Sequence, residues 1–144
     1  MPFRAATATL HATAVAVDGR AALILGASGA GKSSLALQLM ALGAVLVADD
    51  RTVVRREGSH IVADVPDTLR GLIEARGVGI LNATYAGPVP VSLVIDLDQT
   101  ETQRLPAAHR HSLLDLTLPC LHKCDTPAWP AAIMQYLKAG SAKI

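Results

Sequence analysis

The chain has 144 residues, of which 51% are hydrophobic and 17% are charged; this composition supports a folded core and excludes a disordered protein. The 13 basic and 12 acidic residues nearly cancel, so the chain lacks the positive charge that a nucleic-acid backbone attracts. The longest nearly apolar stretch, residues 35–48, is shorter than the roughly 20 residues of a membrane span. We therefore expect one domain over residues 1–144, with no nucleic-acid or membrane partner. Two cysteines without an export signal favour the cytoplasm.

The first part of the chain predicts two strands, a glycine-rich loop and a helix. Residues 7–17 alternate between small or polar and apolar side chains, and residues 21–25 are uniformly apolar, as in a buried strand. The loop over residues 26–31 follows. From Lys32 the leucines recur at helical spacing, and Gly43 is a natural C-terminal stop for that helix.

The rest of the chain is predicted to be mostly strands. The predicted elements are a strand over 44–48, a hairpin over 52–65, and strands over 72–81, 89–97 and 112–118, followed by a helix from Pro127. An ordinary doubly wound domain places a helix after nearly every strand. We therefore predict an α/β fold with a strand-rich central sheet and few helices.

The glycine-rich loop matches the pattern G-x-x-x-x-G-K-[ST], and both its flanks are correct for a phosphate-binding loop. The residues predicted to bind a nucleotide are Gly26, Ala27, Ser28, Gly29, Ala30, Gly31, Lys32 and Ser33. The glycines permit conformations in which backbone N–H groups point at a phosphate, and the helix N-terminus adds a positive dipole end. Lys32 supplies a charge for the β- and γ-phosphates, and the Ser33 hydroxyl is suited to a Mg²⁺ shell.

Two adjacent carboxylates, Asp49 and Asp50, end the strand predicted over residues 44–48. A carboxylate at a strand end beside a phosphate loop suits a metal ligand or a base for an incoming hydroxyl. Aspartate is also common in solvated turns. The position after four apolar residues favours the functional interpretation.

Glu74 and Arg76 lie in a segment that is otherwise apolar. An unpaired charge is costly in such surroundings, so a metal ion or a phosphate would satisfy these side chains. The alternative is an ordinary ion pair between the two residues, and the residues alone favour neither.

Taken together, the motifs resemble the catalytic domain of HPr kinase/phosphorylase, the bacterial enzyme that phosphorylates a serine of the phosphocarrier HPr. The segments that carry the resemblance, in order, are His11-Ala12, GASGAGKS at 26–33, Val47-Ala48-Asp49-Asp50 and Glu74-Ala75-Arg76-Gly77-Val78-Gly79-Ile80. The order and spacing of these segments are far more specific than a phosphate loop alone.

The resemblance implies a P-loop kinase domain of the HPr kinase type that uses ATP and Mg²⁺. Lys32 would contact phosphate, and Ser33 and Glu74 would hold the Mg²⁺ ion. The implied acceptor is a serine of an HPr-like phosphocarrier of a phosphotransferase system.

The same resemblance implies the remaining catalytic residues. The aspartate pair would provide the base for the serine proton, with Asp50 the first choice and Asp49 the other candidate. His11 would lie near the phosphates. Arg104 resembles the family's catalytic arginine beyond the corresponding strand, on local context only.

Two of the departures from the family pattern bear on the activity of the chain. It does not contain the separate N-terminal domain of full-length members, so it resembles the short single-domain form found in some proteobacteria. The P-V-R-P-G-R-type segment, which is associated with dephosphorylation in the family, is not recognisable in this chain. The most similar segment is Leu118-Pro119-Cys120-Leu121. We therefore expect a competent kinase with at most weak phosphorylase activity. Hexamers occur in the family, which implies a homo-oligomer.

Two other classes of protein also contain a phosphate loop of this kind. One is a small-molecule kinase, which the 74–80 segment argues against. The other is a non-catalytic module that signals by nucleotide occupancy, which the aspartate pair disfavours.

Three further patterns near the C-terminus are interpreted as unrelated to function. Cys120 and Cys124 flank a single histidine, which is too few ligands at the usual spacing for zinc. The segment from His122 to Asp125 has a histidine where the guanine-binding motif N-K-x-D has an asparagine, so we do not expect the chain to be a GTPase. His109 and His111, which flank Arg110, are expected to lie on a solvated face.

Overall fold

The computed structural model describes residues 6–142 and consists mainly of strands. The strands are β1 (Thr7–Leu10), β2 (Ala12–Val17), β3 (Arg20–Leu25), β4 (Val45–Ala48), β5 (Thr52–Glu57), β6 (His60–Asp64), β7 (Leu72–Ala75), β8 (Gly79–Asn82), β9 (Val89–Thr100), β10 (His109–Leu113) and β11 (Leu116–Lys123). The helices in this part of the chain are α1 (Lys32–Ala41) and α2 (Trp129–Ala139), with a short 3₁₀ turn at Asp67–Leu69.

One large sheet carries most of the strands, in the order β1-β5-β6-β9-β3-β2-β4, with β11 also beside β9 and β10 beside β11. Three neighbouring strands are parallel, because β9 pairs with β3 on one side and with β11 on the other. Their carboxyl ends therefore meet at the same edge of the sheet, which is where ligands bind in open α/β sheets. The loop after β3 is the glycine-rich loop.

The core lies on both faces of the central strands. On one face the two helices pack against alternate residues of β2, β3 and β9, with Leu39, Ile133 and Leu137 almost fully buried. On the other face the small residues of β2 pack with β4, β5 and β6. Because both faces are covered, most of β3 has the buried character that its apolar sequence predicts. β2 is also buried on both faces, which differs from the alternating strand predicted for residues 7–17. No α-helix within residues 6–142 has the length and apolarity needed to cross a bilayer.

The predicted fold class is confirmed, and most strands lie where the sequence indicates. The tight turn between β2 and β3 contains Asp18 and Gly19, both with positive φ. The predicted strand over 7–17 is interrupted at His11, which separates β1 from β2. α1 ends at Ala41, and Leu42 beyond it is exposed instead of completing the apolar helix face.

Two predicted strands are wrong. Residues 72–81 do not form one strand but the hairpin β7–β8, which turns at residues 76–78. Residues 112–118 include the turn between β10 and β11, where Leu114 and Asp115 have φ values of 48° and 63°. Positive φ is rare for a non-glycine residue, and for leucine it has no sequence signal.

Candidate active site

The glycine-rich loop wraps around the side chain of Lys32. The Lys32 Nζ donates hydrogen bonds to the Gly26 and Ala27 carbonyl oxygens at 2.8 and 3.1 Å. A side chain at Gly26 would be crowded, since a Cβ there would lie 3.0 Å from the Ala30 Cβ and 3.1 Å from the Leu97 Cβ. Lys32 is only 6% exposed, so its positive charge lies beneath the loop.

The helix that follows the loop begins with free backbone donors. Gly31, the N-cap residue of α1, has φ 100° and offers no side-chain cap, and the first turn contains no acidic residue. The N–H groups of the first turn and the helix dipole are therefore available to an anion. The loop is also anchored to the end of β9, because the Ala27 N–H donates to Asp98 Oδ1 at 3.0 Å. This arrangement is suited to binding phosphate.

Asp49 is buried and accepts three hydrogen bonds. Its Oδ1 accepts from Ser33 Oγ at 2.6 Å and from Thr13 Oγ1 at 2.9 Å, and its Oδ2 accepts from the Glu74 backbone N–H at 2.9 Å. These contacts join β4 to α1, β2 and β7. The carboxylate of Asp49 therefore fixes the Ser33 hydroxyl beside the phosphate loop, where it can support a metal shell.

Asp50 has the opposite environment. Its backbone is in the left-handed region with φ 66°, and its N–H donates to Thr13 Oγ1 at 3.2 Å. This turn points the carboxylate away from the core: the side chain is 58% exposed, and Oδ1 lies 3.3 Å from His11 Nδ1. Asp50 and His11 thus form a carboxylate–imidazole pair at the surface beside the loop.

A cavity of about 280 Å³ connects the loop with the carboxylates. Its lining residues are Ser28, Gly29, Gly31, Lys32, Ser33, Ser34, Asp50, Glu74 and Arg76. Glu74 and Arg76 are both exposed to this space, so the expectation that they lie in apolar surroundings is wrong. The alternative of an ion pair is also absent, since within residues 6–142 neither side chain has a salt-bridge partner. The cavity thus has acidic and basic groups at its rim.

Arg104 is not brought to this cavity. It lies in the exposed loop between β9 and β10 and lines neither cavity that contacts the phosphate loop. The base of its loop is held by Glu101, whose Oε1 is 2.7 Å from His109 Nε2. This hydrogen bond, together with donation from the Gln103 and Thr102 amides, lowers the pKa of the Glu101 carboxyl.

His111 and His109 are both partly buried, so the expectation of a solvated face is only partly met, as His109 shows. Its ring stacks on that of His122 with 3.8 Å between the centroids, and the donor atoms of Glu101, His109 and His122 lie within 4.8 Å of one another. Cys120 and Cys124 are free thiols.

Sequence reasoning missed two residues that position the site. Thr13 is fully buried and bonds to both aspartates, and Asp98 holds the phosphate loop. For Thr13 the signal was a polar residue inside a run that is otherwise small and apolar. Asp98 follows the apolar part of β9 on the sheet edge shared with the loop.

Comparison with known proteins identifies the family. The family model described as the HPr Serine kinase C-terminal domain matches residues 4–112. An HPr kinase/phosphorylase of Caldicellulosiruptor bescii is 45% identical over 93 residues, which cover 62% of this chain and 30% of that protein. An HPr kinase/phosphorylase of Geobacillus thermodenitrificans is 38% identical over 130 residues, which cover 81% of this chain and 42% of that protein. The chain thus spans less than half the length of these curated relatives.

A solved structure shows the same fold. The Hpr(Ser) kinase/phosphatase from Coxiella burnetii superposes with a TM-score of 0.76 at 23% identity, covering 91% of this chain and 94% of that chain. The family match includes the phosphate loop, both aspartates and the hairpin β7–β8. The chain belongs to the family of HPr serine kinase C-terminal domains.

Proposed function

We propose that the chain is an ATP-dependent protein kinase that phosphorylates a serine of an HPr-like phosphocarrier. The observation that carries this proposal is the exposed Asp50–His11 pair, 3.3 Å apart, at a cavity whose floor is the phosphate loop. A base that faces solvent beside a phosphate site is suited to an acceptor hydroxyl presented by another protein. Family membership supports the same activity.

The oxygen donors beside the loop fit a Mg²⁺ ion, which prefers carboxylate, hydroxyl and phosphate oxygens. Ser33 and Glu74 would hold the ion, with Asp49 fixing the Ser33 hydroxyl at 2.6 Å. When bound, the ion would neutralise charge on the β- and γ-phosphate oxygens.

The residues of the chain then have distinct parts in the transfer. The loop amides and Lys32 stabilise negative charge on the phosphates. Asp50 accepts the proton of the serine hydroxyl as its oxygen forms a bond to the γ-phosphorus, and the bond to the β–γ bridging oxygen breaks to release ADP. His11 orients the Asp50 carboxylate through the contact between them. Arg104 would have to approach by movement of its loop, and its catalytic role stays a prediction.

The proposal includes three further expectations. The partner is an HPr-like carrier, the place of action is the cytoplasm, and the assembly is a homo-oligomer of the kind found in the family. A small-molecule kinase or a non-catalytic nucleotide-responsive module remains the alternative outcome of the test below.

The test is incubation with γ-labelled ATP, Mg²⁺ and either the HPr-like carriers of the same organism or a panel of small alcohols. We expect label in the carrier only. The Lys32→Ala variant is the control: it should lose transfer by at least about 10²-fold while its unfolding curve stays cooperative. Label in small molecules would indicate the first alternative, and tight ATP binding without transfer to either acceptor would indicate the second.

A further inference from the structure

Two histidines and a glutamate converge at the base of the loop between β9 and β10. Glu101 directly follows β9, His109 begins β10, and His122 lies near the end of β11. One donor atom of each side chain lies within 4.8 Å of the other two. Within residues 6–142 this is the one group of three such donors from histidine, cysteine, aspartate or glutamate, and none of its members lines the phosphate cavity.

The strand pairing places these side chains together. His109 pairs with Cys120 in the antiparallel ladder of β10 and β11. His122 is two residues beyond Cys120, and residues two apart in a strand share a face of the sheet. The two imidazoles are therefore diagonal neighbours, and they stack with 3.8 Å between the ring centroids. Glu101 lies beside them because its N–H donates to the Lys123 carbonyl oxygen at 2.8 Å.

The carboxylate of Glu101 is held in a fixed direction. Its Oε2 accepts hydrogen bonds from the Thr102 and Gln103 N–H groups at 3.0 and 3.1 Å. These bonds leave Oε1 to face the histidines, where it lies 2.7 Å from His109 Nε2. Carboxylates that ligate a metal ion are commonly held by outer hydrogen bonds of this kind.

This set of donors has the chemistry of a transition-metal site. Imidazole nitrogen suits zinc and the neighbouring metals, whereas Mg²⁺ prefers oxygen ligands. Two histidines and one glutamate bind zinc in some metalloenzymes, where water takes the fourth position. Ligand atoms of a tetrahedral zinc ion are about 3.3 Å apart, so donors within 4.8 Å of one another need only small side-chain rotations. A metal ion between Glu101 Oε1 and His109 Nε2 takes the place of the proton between them.

We propose that Glu101, His109 and His122 form a binding site for a divalent transition-metal ion such as Zn²⁺, separate from the proposed Mg²⁺ site. The ion joins the ends of β9 and β11 to the start of β10, and so holds both ends of the loop that contains Arg104. The inference does not depend on the proposed kinase activity.

The first test is calorimetric titration of the untagged, metal-free chain with Zn²⁺. Excess Mg²⁺ is present to occupy sites made of oxygen, such as the phosphate cavity. We expect one ion per chain, with a dissociation constant in the micromolar range or tighter. His109→Ala, His122→Ala and Glu101→Gln should each weaken binding at least about tenfold, while unfolding cooperatively without metal.

His111→Ala is the matched control. His111 lies two residues from His109 in β10 and so shares its face of the sheet, but it is not a member of the group of donors. This variant should bind Zn²⁺ as the wild type does. Absence of Zn²⁺ binding by the wild type, or equal affinity of the wild type and His122→Ala, would overturn the inference.

The absorption of bound Co²⁺ identifies the ligands in the wild-type chain, without any substitution. This measurement is needed because Cys124 is a free thiol two residues from His122, and thiolates also bind zinc. Nitrogen and oxygen ligands give weak visible bands, whereas a thiolate adds an intense charge-transfer band in the near ultraviolet. We expect visible bands that Zn²⁺ abolishes and no thiolate band. A thiolate band, or loss of Zn²⁺ binding in Cys124→Ser, would overturn this set of ligands.

Cleavage by trypsin after Arg104 measures the effect of the ion on the loop. The next residue, Leu105, is 83% exposed, and the loop has to open locally before a protease can cut it. We expect Zn²⁺ to slow this cleavage several-fold in the wild type and in His111→Ala, but not in His122→Ala, which also controls for any effect of Zn²⁺ on trypsin. A cleavage rate in the wild type that Zn²⁺ leaves unchanged would overturn the placement of the ion at the base of the loop.

Discussion

Asp49 and Asp50 are adjacent in sequence and have opposite environments. Asp49 ends a buried strand and is saturated by donors from Ser33, Thr13 and the Glu74 amide. The left-handed backbone of Asp50 reverses the direction of the chain and exposes its carboxylate to the surface. Both oxygens of the Asp49 carboxylate are engaged by donors of the chain itself, whereas the Asp50 carboxylate is open to an incoming hydroxyl. We therefore propose Asp50 as the base and Asp49 as a positioning residue.

Replacing Asp50 by asparagine should separate binding from transfer. The amide cannot accept the serine proton, so we expect transfer to fall by about 10²–10⁴-fold with ATP affinity unchanged within about twofold. Rate and affinity are measured by single-turnover transfer and by calorimetry. Asp49→Asn is the matched variant, and a larger loss of transfer there than in Asp50→Asn would reverse the assignment of the two aspartates.

Glu74→Gln should weaken the use of Mg²⁺. The Glu74 carboxylate lines the phosphate cavity without a salt-bridge partner among residues 6–142, and its amide replacement has no charge to offer a divalent ion. We expect the Mg²⁺ concentration for half-maximal transfer to rise several-fold, with the maximal rate partly recovered at high Mg²⁺. A titration curve identical to that of the wild type would remove Glu74 from the metal site.

At the scale of elements, the site depends on contacts between β2 and β4. Thr13 in β2 donates to Asp49 and accepts from the backbone of Asp50, so one hydroxyl fixes the end of β4. The same strand pair shows a register shift between Ala14 and Val15, directly beside Thr13. The contact explains why a polar residue is tolerated at a fully buried position.

The Thr13→Val substitution keeps the shape of the side chain and removes the hydroxyl. It should leave polar atoms of both aspartates short of a partner and lower the free energy of unfolding by about 1–3 kcal/mol. Transfer should also fall, because Asp50 loses the contact that holds its backbone. Denaturant unfolding and the transfer assay measure the two effects. Thr9→Val, on an exposed position of β1, is the control and should change neither; a Thr13→Val protein as stable as that control would contradict this account.

Elements whose bounds are determined by local sequence patterns could be predicted from the sequence. Elements whose bounds depend on unusual turns could not. β3, the phosphate loop and α1 follow from local apolar patterns and glycines. The turn at Leu114 and Asp115 requires positive φ from two residues that rarely adopt it. For that reason the boundary between β10 and β11 was invisible in the sequence.

The site residues show the same division. The phosphate loop and the aspartates belong to short motifs that can be recognised in the sequence alone. The partner of Asp49 in β2 is 36 residues away in sequence, and only the pairing of β2 with β4 brings the two together. The burial of Glu74 was mispredicted because β7 and β8 form a two-stranded hairpin separate from the large sheet, and one side of that hairpin faces the cavity.

At the scale of the whole molecule, the positive side chains that line the phosphate cavity affect whether the chain can catalyse phosphorolysis as well as the kinase reaction. In phosphorolysis, inorganic phosphate attacks the seryl phosphate and releases pyrophosphate, so two anions must approach each other. Their repulsion has to be offset by donors, for which arginine is well suited. Arg76 lines the phosphate cavity, whereas Arg104 does not.

We therefore predict that phosphorolysis is much slower than the forward transfer. Phosphorylated carrier with millimolar phosphate and no ADP should release pyrophosphate at a rate far below that of the kinase reaction. Release at a comparable rate would show that Arg76 and Lys32 suffice for both anions.

Under the proposed function, this chain transfers phosphate to a serine of a carrier protein with Asp50 as the base. The most direct measurement is mass spectrometry of an HPr-like carrier after incubation with ATP, Mg²⁺ and the chain, with the modified residue located by fragmentation. We predict one phosphoryl group on a single serine, none on a carrier with that serine replaced by alanine, and almost none when Asp50→Asn is used. Phosphate on a histidine, or equal modification by the wild type and Asp50→Asn, would contradict it.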